Sequence, residues 1–184
     1  MTKTKLFLDA DNTILNSSQT YCEIYNLMYQ DHPNFVPANH DNLKQWDLKD
    51  ICPLVINPVD VFSSEMFWDR VGFYDVDTLY VLDKLLHKYD VWVCSIGTIE
   101  NITRKLKWFE QNTSIHNYAM ITNADNTMCK DVVNMAGGIF VDDVASNLFS
   151  SNASWKICFG KKYPWNSEWS GDRVFNCNEL DKLL

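Results

Sequence analysis

The sequence has few of the residues that break a chain into loops and linkers. Glycine and proline occur only six and five times among 184 residues, whereas hydrophobic residues make up 46%. This composition is typical of a folded domain with a sizeable core. No apolar run approaches the roughly 20 residues needed to cross a bilayer. We therefore expect one compact, soluble domain with neither a signal peptide nor a membrane partner.

Basic residues are scarce relative to acidic ones. The chain has 16 lysines and arginines against 24 aspartates and glutamates, which gives a formal net charge of −8. Binding to polymeric nucleic acid requires a basic footprint, so we do not expect such a partner. An acidic protein can still bind a small phosphate when a divalent cation and one or two basic groups supply local positive charge.

The six cysteines are too scattered to form a metal or redox motif. They include no CxxC pair and no zinc-like spacing with the four histidines. We expect reduced thiols that pack as small hydrophobic side chains in a cytoplasmic protein.

Short apolar segments typical of buried strands recur along the chain. They cover residues 5–10, 90–95, 118–122, 138–143, 155–160 and, more weakly, 173–177. Patterns typical of amphipathic helices lie between some of them, at residues 77–88 and 98–112. This alternation predicts an α/β fold, a Rossmann-like core of three layers with a mostly parallel sheet.

The stretch after the first strand does not alternate in this way. Residues 16–73 contain two segments that could form helices and a loop-like part with two prolines. Ordinary connections in α/β proteins run about 2–6 residues, so this stretch is too long to be one. We predict a small, mainly helical cap at residues 16–73, inserted into a core formed by residues 1–15 and 74–184.

Two pairs of carboxylates directly follow two of the predicted strands. Asp9 and Asp11 end "KLFLDAD", and Asp142 and Asp143 end "GIFVDD". An acid-rich turn or a helix cap would explain either pair alone. Neighbouring parallel strands, however, bring their carboxyl ends to one edge of the sheet. Several carboxylate oxygens at one point form a site for a hard cation, best suited to Mg²⁺.

A hydroxyl and a lysine lie between the two acid pairs. Ser95 ends the strand "DVWVCS", where it could donate to an anion or cap the next helix. Lys130 comes about a dozen residues before the second acid pair, at the expected start of a helix; alone it would be an ordinary surface lysine. Acid pair, hydroxyl, lysine and acid pair in this order are far less expected by chance than any one of them alone.

In these motifs the sequence resembles the haloacid dehalogenase-like (HAD) phosphatases. The family pattern is present as "FLDADNT", "VWVCS", Lys130 and "IFVDD", spanning residues 5–143. Within the superfamily the chain is similar to the 5′(3′)-deoxyribonucleotidases in size, in the insertion, in "KLKWFEQN" and in "YPWNSEW". It departs from them at Ile96, where they have a hydroxyl, and in a slightly long interval from Lys130 to Asp142.

The resemblance implies a role for each carboxylate. Asp9 is expected to attack phosphorus, and Asp11 to protonate the leaving alcohol and then to deprotonate the attacking water. The resemblance also implies that Mg²⁺ is held by Asp9, Asp142 and the backbone carbonyl of Asp11. Asp143 is expected to orient this shell rather than to ligate directly.

Phosphate binding is expected from Ser95, Lys130 and the backbone N–H groups of Asp11 and Asn12. Specificity is expected in the cap, whose aromatic residues could stack on a nucleobase or form the cap's own small core. The candidates for stacking are Phe35, Trp46, Phe67 and Trp68.

The favoured function is Mg²⁺-dependent hydrolysis of (deoxy)nucleoside monophosphates, with a small nucleotide as the partner. A phosphatase for a sugar phosphate or a polynucleotide 3′ end is an alternative. A third is a non-catalytic phosphate-binding or phosphoacceptor module, against which the second acid, Asp11, argues. The sequence leaves open the choice between ribose and deoxyribose, the position of the phosphate, and whether the protein is a monomer or a homodimer.

Overall fold

A computed structural model of the protein describes residues 2–45, 48–122 and 129–184. Within these residues, six strands form one all-parallel sheet in the order β3-β2-β1-β4-β5-β6. The strands are β1 (Lys5–Leu8), β2 (Asp90–Gly97), β3 (Asn117–Thr122), β4 (Ile139–Asp142), β5 (Trp155–Phe159) and β6 (Arg173–Val174).

Helices connect the strands and cover both faces of the sheet. They are α1 (Ser17–Tyr29), α2 (Pro58–Phe62), α3 (Glu65–Arg70), α4 (Thr78–Lys88), α5 (Ile99–Asn112), α6 (Ala145–Ser150) and α7 (Cys177–Leu183), with 3₁₀ turns at His40–Asn42 and Pro164–Asn166. Successive strand residues point to opposite faces, and β1 shows the result. Leu6 and Leu8 enter the larger apolar core, whereas Phe7 enters a second core with Phe140 and Leu148. The predicted three-layer α/β fold is confirmed.

The helical insertion follows β1, and hydrogen bonds tie its two ends together. The Asn16 N–H donates to the Gly72 carbonyl over 3.1 Å, and the Gly72 N–H donates to Asn16 Oδ1 over 2.9 Å. Next to them, the Tyr74 N–H donates to the Ile14 carbonyl over 2.7 Å. Phe67 of this insertion belongs to the same apolar cluster as the core strands. The division into units at residues 15/16 and 73/74 stays a prediction.

Two local predictions need correction. β2 continues to Gly97, so Ser95 lies inside this strand rather than at its end. Residues 129–138 form turns, and the helix expected to begin at Lys130 is absent from this described segment. Gly137 adopts a positive φ of 76° there, which a right-handed helix does not accommodate.

No helix in the part of the chain that the structure describes has the length and apolarity needed to cross a bilayer. All six cysteines are free, and five of them are buried, in line with their expected packing role.

Candidate active site

The site lies at the carboxyl ends of β1 and β4, where the strand order reverses. Leu8 pairs with Val141 in register, and the Asp9 N–H donates to the Val141 carbonyl over 2.9 Å. Strands β2 and β3 lie on one side of β1, and β4 to β6 lie on the other. Open α/β sheets bind their ligands in the crevice at such a point.

Three carboxylates and one lysine converge in this crevice. Oxygens of Asp9, Asp142 and Asp143 all lie within 4.8 Å of one another. The three residues are only 6%, 0% and 3% exposed. Lys130, itself buried, donates to Asp9 Oδ1 over 2.5 Å and to Asp142 Oδ2 over 2.7 Å. We call these four residues the acid cluster.

One lysine does not balance three buried carboxylates, and the pKa values reflect the imbalance. Burial raises the pKa of Asp9 to about 7; Lys130 opposes this rise, and Asp142 and Asp11 add to it. Burial also raises the pKa of Asp143 well above its ordinary value, and Asp9 and Asp142 raise it further. The cluster therefore lacks positive charge.

The residues present fit a divalent cation. Asp143 Oδ2 is buried and accepts no hydrogen bond from the described residues, so it is available as a ligand. Asp142 is fixed by the Val144 N–H at 2.8 Å and by Asn147 Nδ2 at 3.2 and 3.1 Å. Carboxylate oxygens held in this way suit Mg²⁺. Asp143, expected only to orient the shell, offers a ligand oxygen here.

A second charged group lies on the other side of β1, formed by Asp11, Ser95 and Lys105. Lys105 Nζ donates to Asp11 Oδ2 over 2.5 Å and to Ser95 Oγ over 2.8 Å. The Ser17 hydroxyl donates to the other oxygen, Asp11 Oδ1, over 2.7 Å. Burial acts to raise the pKa of Asp11, but the Lys105 charge and hydrogen bond, together with Ser17, hold it below its ordinary value. We call these residues the paired cluster.

The sequence reasoning did not identify Lys105, although a signal was present. Lys105 on α5 comes three residues after Ile102 and four before Phe109, both on the buried face of this helix. The adjacent Leu106, although apolar, is only partly buried. A lysine on an apolar helix face must find a partner in the fold, because an unpaired buried charge is costly.

Asn12 has a defined local role in the turn after β1. Its φ of 55° is in the left-handed region, which asparagine tolerates better than most residues. Its side-chain oxygen accepts the Ser18 N–H over 3.0 Å at the start of α1. The Asn12 side chain therefore caps the start of α1. Only the backbone N–H of Asn12 is left for the predicted phosphate contact.

The aromatic residues predicted to stack on a base lie in the packing of the cap. Phe67 is 0% exposed, which corrects its predicted role because a side chain without exposed surface cannot contact a ligand. Phe35 packs against Tyr25 at 5.8 Å between ring centroids, and Trp68 donates to the Phe62 carbonyl. Trp46 lies outside the described residues.

A cavity of about 230 Å³ separates the insertion from the core beside the site. Asn12 and Asp143 lie on its inner wall, and none of the predicted stacking residues that the structure describes lines it. Asp41 from the insertion and Lys161 from the segment after β5 also line it, and they are joined by a hydrogen bond of 2.5 Å.

Solved structures of HAD-superfamily hydrolases share this fold. A HAD-superfamily hydrolase of subfamily IA from Geobacter sulfurreducens has a TM-score of 0.60 at 14% identity, over 99% of this chain and 96% of that one. A predicted phosphatase from Clostridium acetobutylicum has a TM-score of 0.67 at 11% identity, over 100% and 98%. A candidate phosphoglycolate phosphatase from Lactobacillus plantarum has a TM-score of 0.59 at 16% identity, over 100% of both chains.

Neither a protein-family model nor a curated protein matches the sequence. At these identities the structural likeness establishes the fold: the chain has the α/β fold of the HAD-superfamily hydrolases. Its activity has to be argued from the site.

Proposed function

We propose that this protein is a Mg²⁺-dependent phosphomonoester hydrolase that works through an aspartyl-phosphate on Asp9. The observation that carries the proposal is the acid cluster, in which Asp9, Asp142 and Asp143 share one buried crevice and have a single lysine between them. The fold, which is shared with a HAD-superfamily hydrolase and with a predicted phosphatase, supports the same reaction class.

In the first step, a carboxylate oxygen of Asp9 forms a bond to phosphorus while the bond to the leaving oxygen breaks. Asp11 donates a proton to the leaving alcohol. Bound by Asp9, Asp142 and Asp143, Mg²⁺ would supply positive charge for the phosphoryl oxygens. Lys130 already lies against Asp9, where its ammonium would act in the same direction.

In the second step, Asp11 takes a proton from water, and the resulting hydroxide attacks phosphorus to release phosphate and restore Asp9. Lys105 and Ser17 favour the ionised form of Asp11 that this step requires. The first step needs the protonated form instead. We therefore expect esters whose leaving group needs little protonation, such as aryl phosphates, to react fastest.

For the substrate, we propose a (deoxy)nucleoside monophosphate, on the basis of the motif resemblance to deoxyribonucleotidases. A sugar phosphate is the second candidate, and the cavity favours it in one respect. Polar side chains such as Ser18 and Gln19 line the cavity, whereas Phe35, Phe67 and Trp68 do not. Hydroxyl groups of a sugar would find hydrogen-bond partners there.

The test is phosphate release from a panel of 5′- and 3′-(deoxy)nucleoside monophosphates, sugar phosphates and p-nitrophenyl phosphate. Each compound is measured with Mg²⁺ and with EDTA, and the Asp9→Asn variant serves as the control. Release that requires both Mg²⁺ and Asp9 would support the reaction, and the best substrate in the panel would decide the class. No release from any compound would refute a phosphatase.

A further inference from the structure

We propose that the cavity selects phosphate esters whose leaving group is uncharged and hydroxylated, and that Asp41 excludes leaving groups that carry a carboxylate. The inference rests on the proposed hydrolase function, which it deepens by assigning the charge of the leaving group. It is carried by the side chains at the rim of the cavity, where the insertion meets the core.

The positive charge at this rim is already neutralised. Lys161 is the only lysine or arginine among the described residues that line the cavity. Its Nζ donates to Asp41 Oδ1 over 2.5 Å and lies 5.1 Å from the centre of the Tyr163 ring. His40 Nε2 lies 3.8 Å from the same Asp41 oxygen. Asp41 is therefore positioned to neutralise Lys161 and lies beside His40.

An anionic leaving group would meet an unfavourable field in this cavity. Asp41 already occupies Lys161, so the cavity has no unpaired lysine or arginine among its described lining residues for a second anion. A second carboxylate would have to displace Asp41 from Lys161 or lie beside the like charge of Asp41. Either arrangement weakens binding of the anionic compound relative to a neutral one of the same shape.

An uncharged leaving group leaves the ion pair intact. Its hydroxyl groups can bond to polar side chains on the insertion side, among them Ser18 and Gln19. Asp41 belongs to the insertion and Lys161 to the segment after β5, so the same pair holds the two walls of the cavity together. The side chains of Lys161 and Asp41 are 43% and 61% exposed, so water weakens the pair and the selectivity should be moderate.

The experiment compares compounds that differ only in this charge. Glycerol 3-phosphate is paired with 3-phosphoglycerate, and glucitol 6-phosphate with 6-phosphogluconate. Each is measured as a substrate and as a competitive inhibitor of p-nitrophenyl phosphate hydrolysis with Mg²⁺, so that a compound that is not hydrolysed still gives an inhibition constant. We expect wild-type protein to prefer the neutral member of each pair by about fivefold, the upper range for an exposed ion pair.

Three variants locate the effect. Asp41→Asn frees Lys161 and should shift the ratio about fivefold toward the carboxylate compounds. Lys161→Met should shift it the other way, because Asp41 then remains without its partner. Asp31→Asn removes an exposed acid elsewhere in the insertion and should leave both the ratio and p-nitrophenyl phosphate hydrolysis unchanged.

Wild-type protein that binds the carboxylate compounds as well as the neutral ones would overturn the inference while leaving the hydrolase function standing. An equal shift in Asp41→Asn and Asp31→Asn would also overturn it, because net charge rather than the rim would then set the preference. Absence of hydrolysis of every compound, aryl phosphate included, would instead refute the hydrolase function, and the inference with it.

Discussion

The two charged groups beside β1 both combine aspartate with lysine, but in different proportions. In the acid cluster, Lys130 contacts Asp9 and Asp142, and Asp143 completes a set of three carboxylates. Burial, and to a smaller extent the neighbouring carboxylates, raise the pKa values of Asp9 and Asp143. Such a group is incomplete by itself, and a divalent cation is what completes it.

The paired cluster is complete without any added ion. Lys105 matches one carboxylate, Asp11, and also holds the Ser95 hydroxyl. The side chain of Asp11 is 33% exposed, whereas that of Lys105 is 1% exposed, so one end of the pair faces the site and the other is fixed in the core. The comparison indicates that an excess of buried carboxylates marks a cation site. A carboxylate matched by one lysine, as Asp11 is by Lys105, is instead held in position without a cation.

The largest expected effect is the loss of activity when Asp9, the proposed nucleophile in the acid cluster, is replaced. Asp9→Asn should reduce turnover by about 10⁴-fold or more, since it removes the nucleophile of the acid cluster. Phosphate release with Mg²⁺, and circular dichroism to verify the fold, measure this. Activity near that of the wild type would remove Asp9 from its proposed role.

Replacing Lys130 should destabilise the protein more than replacing Lys105, although both lysines are buried. In EDTA, Lys130→Met should lower the free energy of unfolding by about 3 kcal/mol, since it leaves buried carboxylates without a cation. Lys105→Met should cost less, about 1–2 kcal/mol, because water reaches its partner Asp11. Urea unfolding measures both values.

Added Mg²⁺ should then recover part of the loss in Lys130→Met and none of the loss in Lys105→Met. Lys107→Met, an exposed lysine on the same helix as Lys105, is the matched control and should be nearly neutral. Equal costs for both buried lysines, or equal rescue by Mg²⁺, would contradict the distinction between the clusters.

Cation binding itself should be visible as thermal stabilisation. Mg²⁺ at about 100 times its dissociation constant should add about 2.7 kcal/mol, which corresponds to roughly 5–10 °C in Tm for a domain of this size. Asp142→Asn should abolish the shift, while Asp11→Asn should retain most of it because only a backbone carbonyl is expected from that residue. A Tm shift of the same size in Asp142→Asn would mean that the cation binds at another site.

The acid cluster should also give the metal-free protein a characteristic pH dependence. With a pKa raised to about 7 by burial, Asp9 binds a proton in the folded state that the unfolded chain, at its ordinary 3.8, has released. Stability linked to this proton is present at low pH and is lost as pH rises through about 7. We expect a decrease of roughly 2 kcal/mol between pH 5 and 8 in EDTA.

Urea unfolding across this pH range checks the decrease. It should be smaller in Asp9→Asn and in Mg²⁺, since each removes the need to bury an uncompensated charge. A metal-free protein that becomes more stable from pH 5 to 8 would contradict the expected shift. Asp11 has a lowered pKa and therefore has the opposite effect on the pH dependence of stability. The stability linked to its ionised form is lost only as pH falls below the ordinary pKa of an aspartate.

Sequence reasoning worked best where the signal is local. Strand β4 is a run of apolar residues that ends in two acids, and β1 repeats the arrangement with Asp9 and Asp11, so both strands and their shared edge could be predicted. A mostly parallel sheet then places the carboxyl ends of these strands at one edge, whereas the strand order and the register are known only from the structure.

The features that were missed depend on contacts between distant residues. Lys105 pairs with a carboxylate 94 positions away, and nothing local distinguishes it from Lys107 except its helix face. The roles of the aromatic residues in the insertion could not be predicted for the same reason. Composition does not reveal whether a ring such as Phe67 faces a ligand or the core, because this depends on how the short helices pack.

The most direct test uses the Asp11→Asn variant, which should form the phosphoenzyme and fail to hydrolyse it. The variant is incubated with p-nitrophenyl phosphate and Mg²⁺, quenched in acid and analysed by mass spectrometry of its peptides. The account predicts one added phosphoryl group on the peptide that contains Asp9, and none when Asp9 is also changed to Asn. A phosphoryl group on another residue, or an unmodified protein that still releases p-nitrophenol, would contradict it.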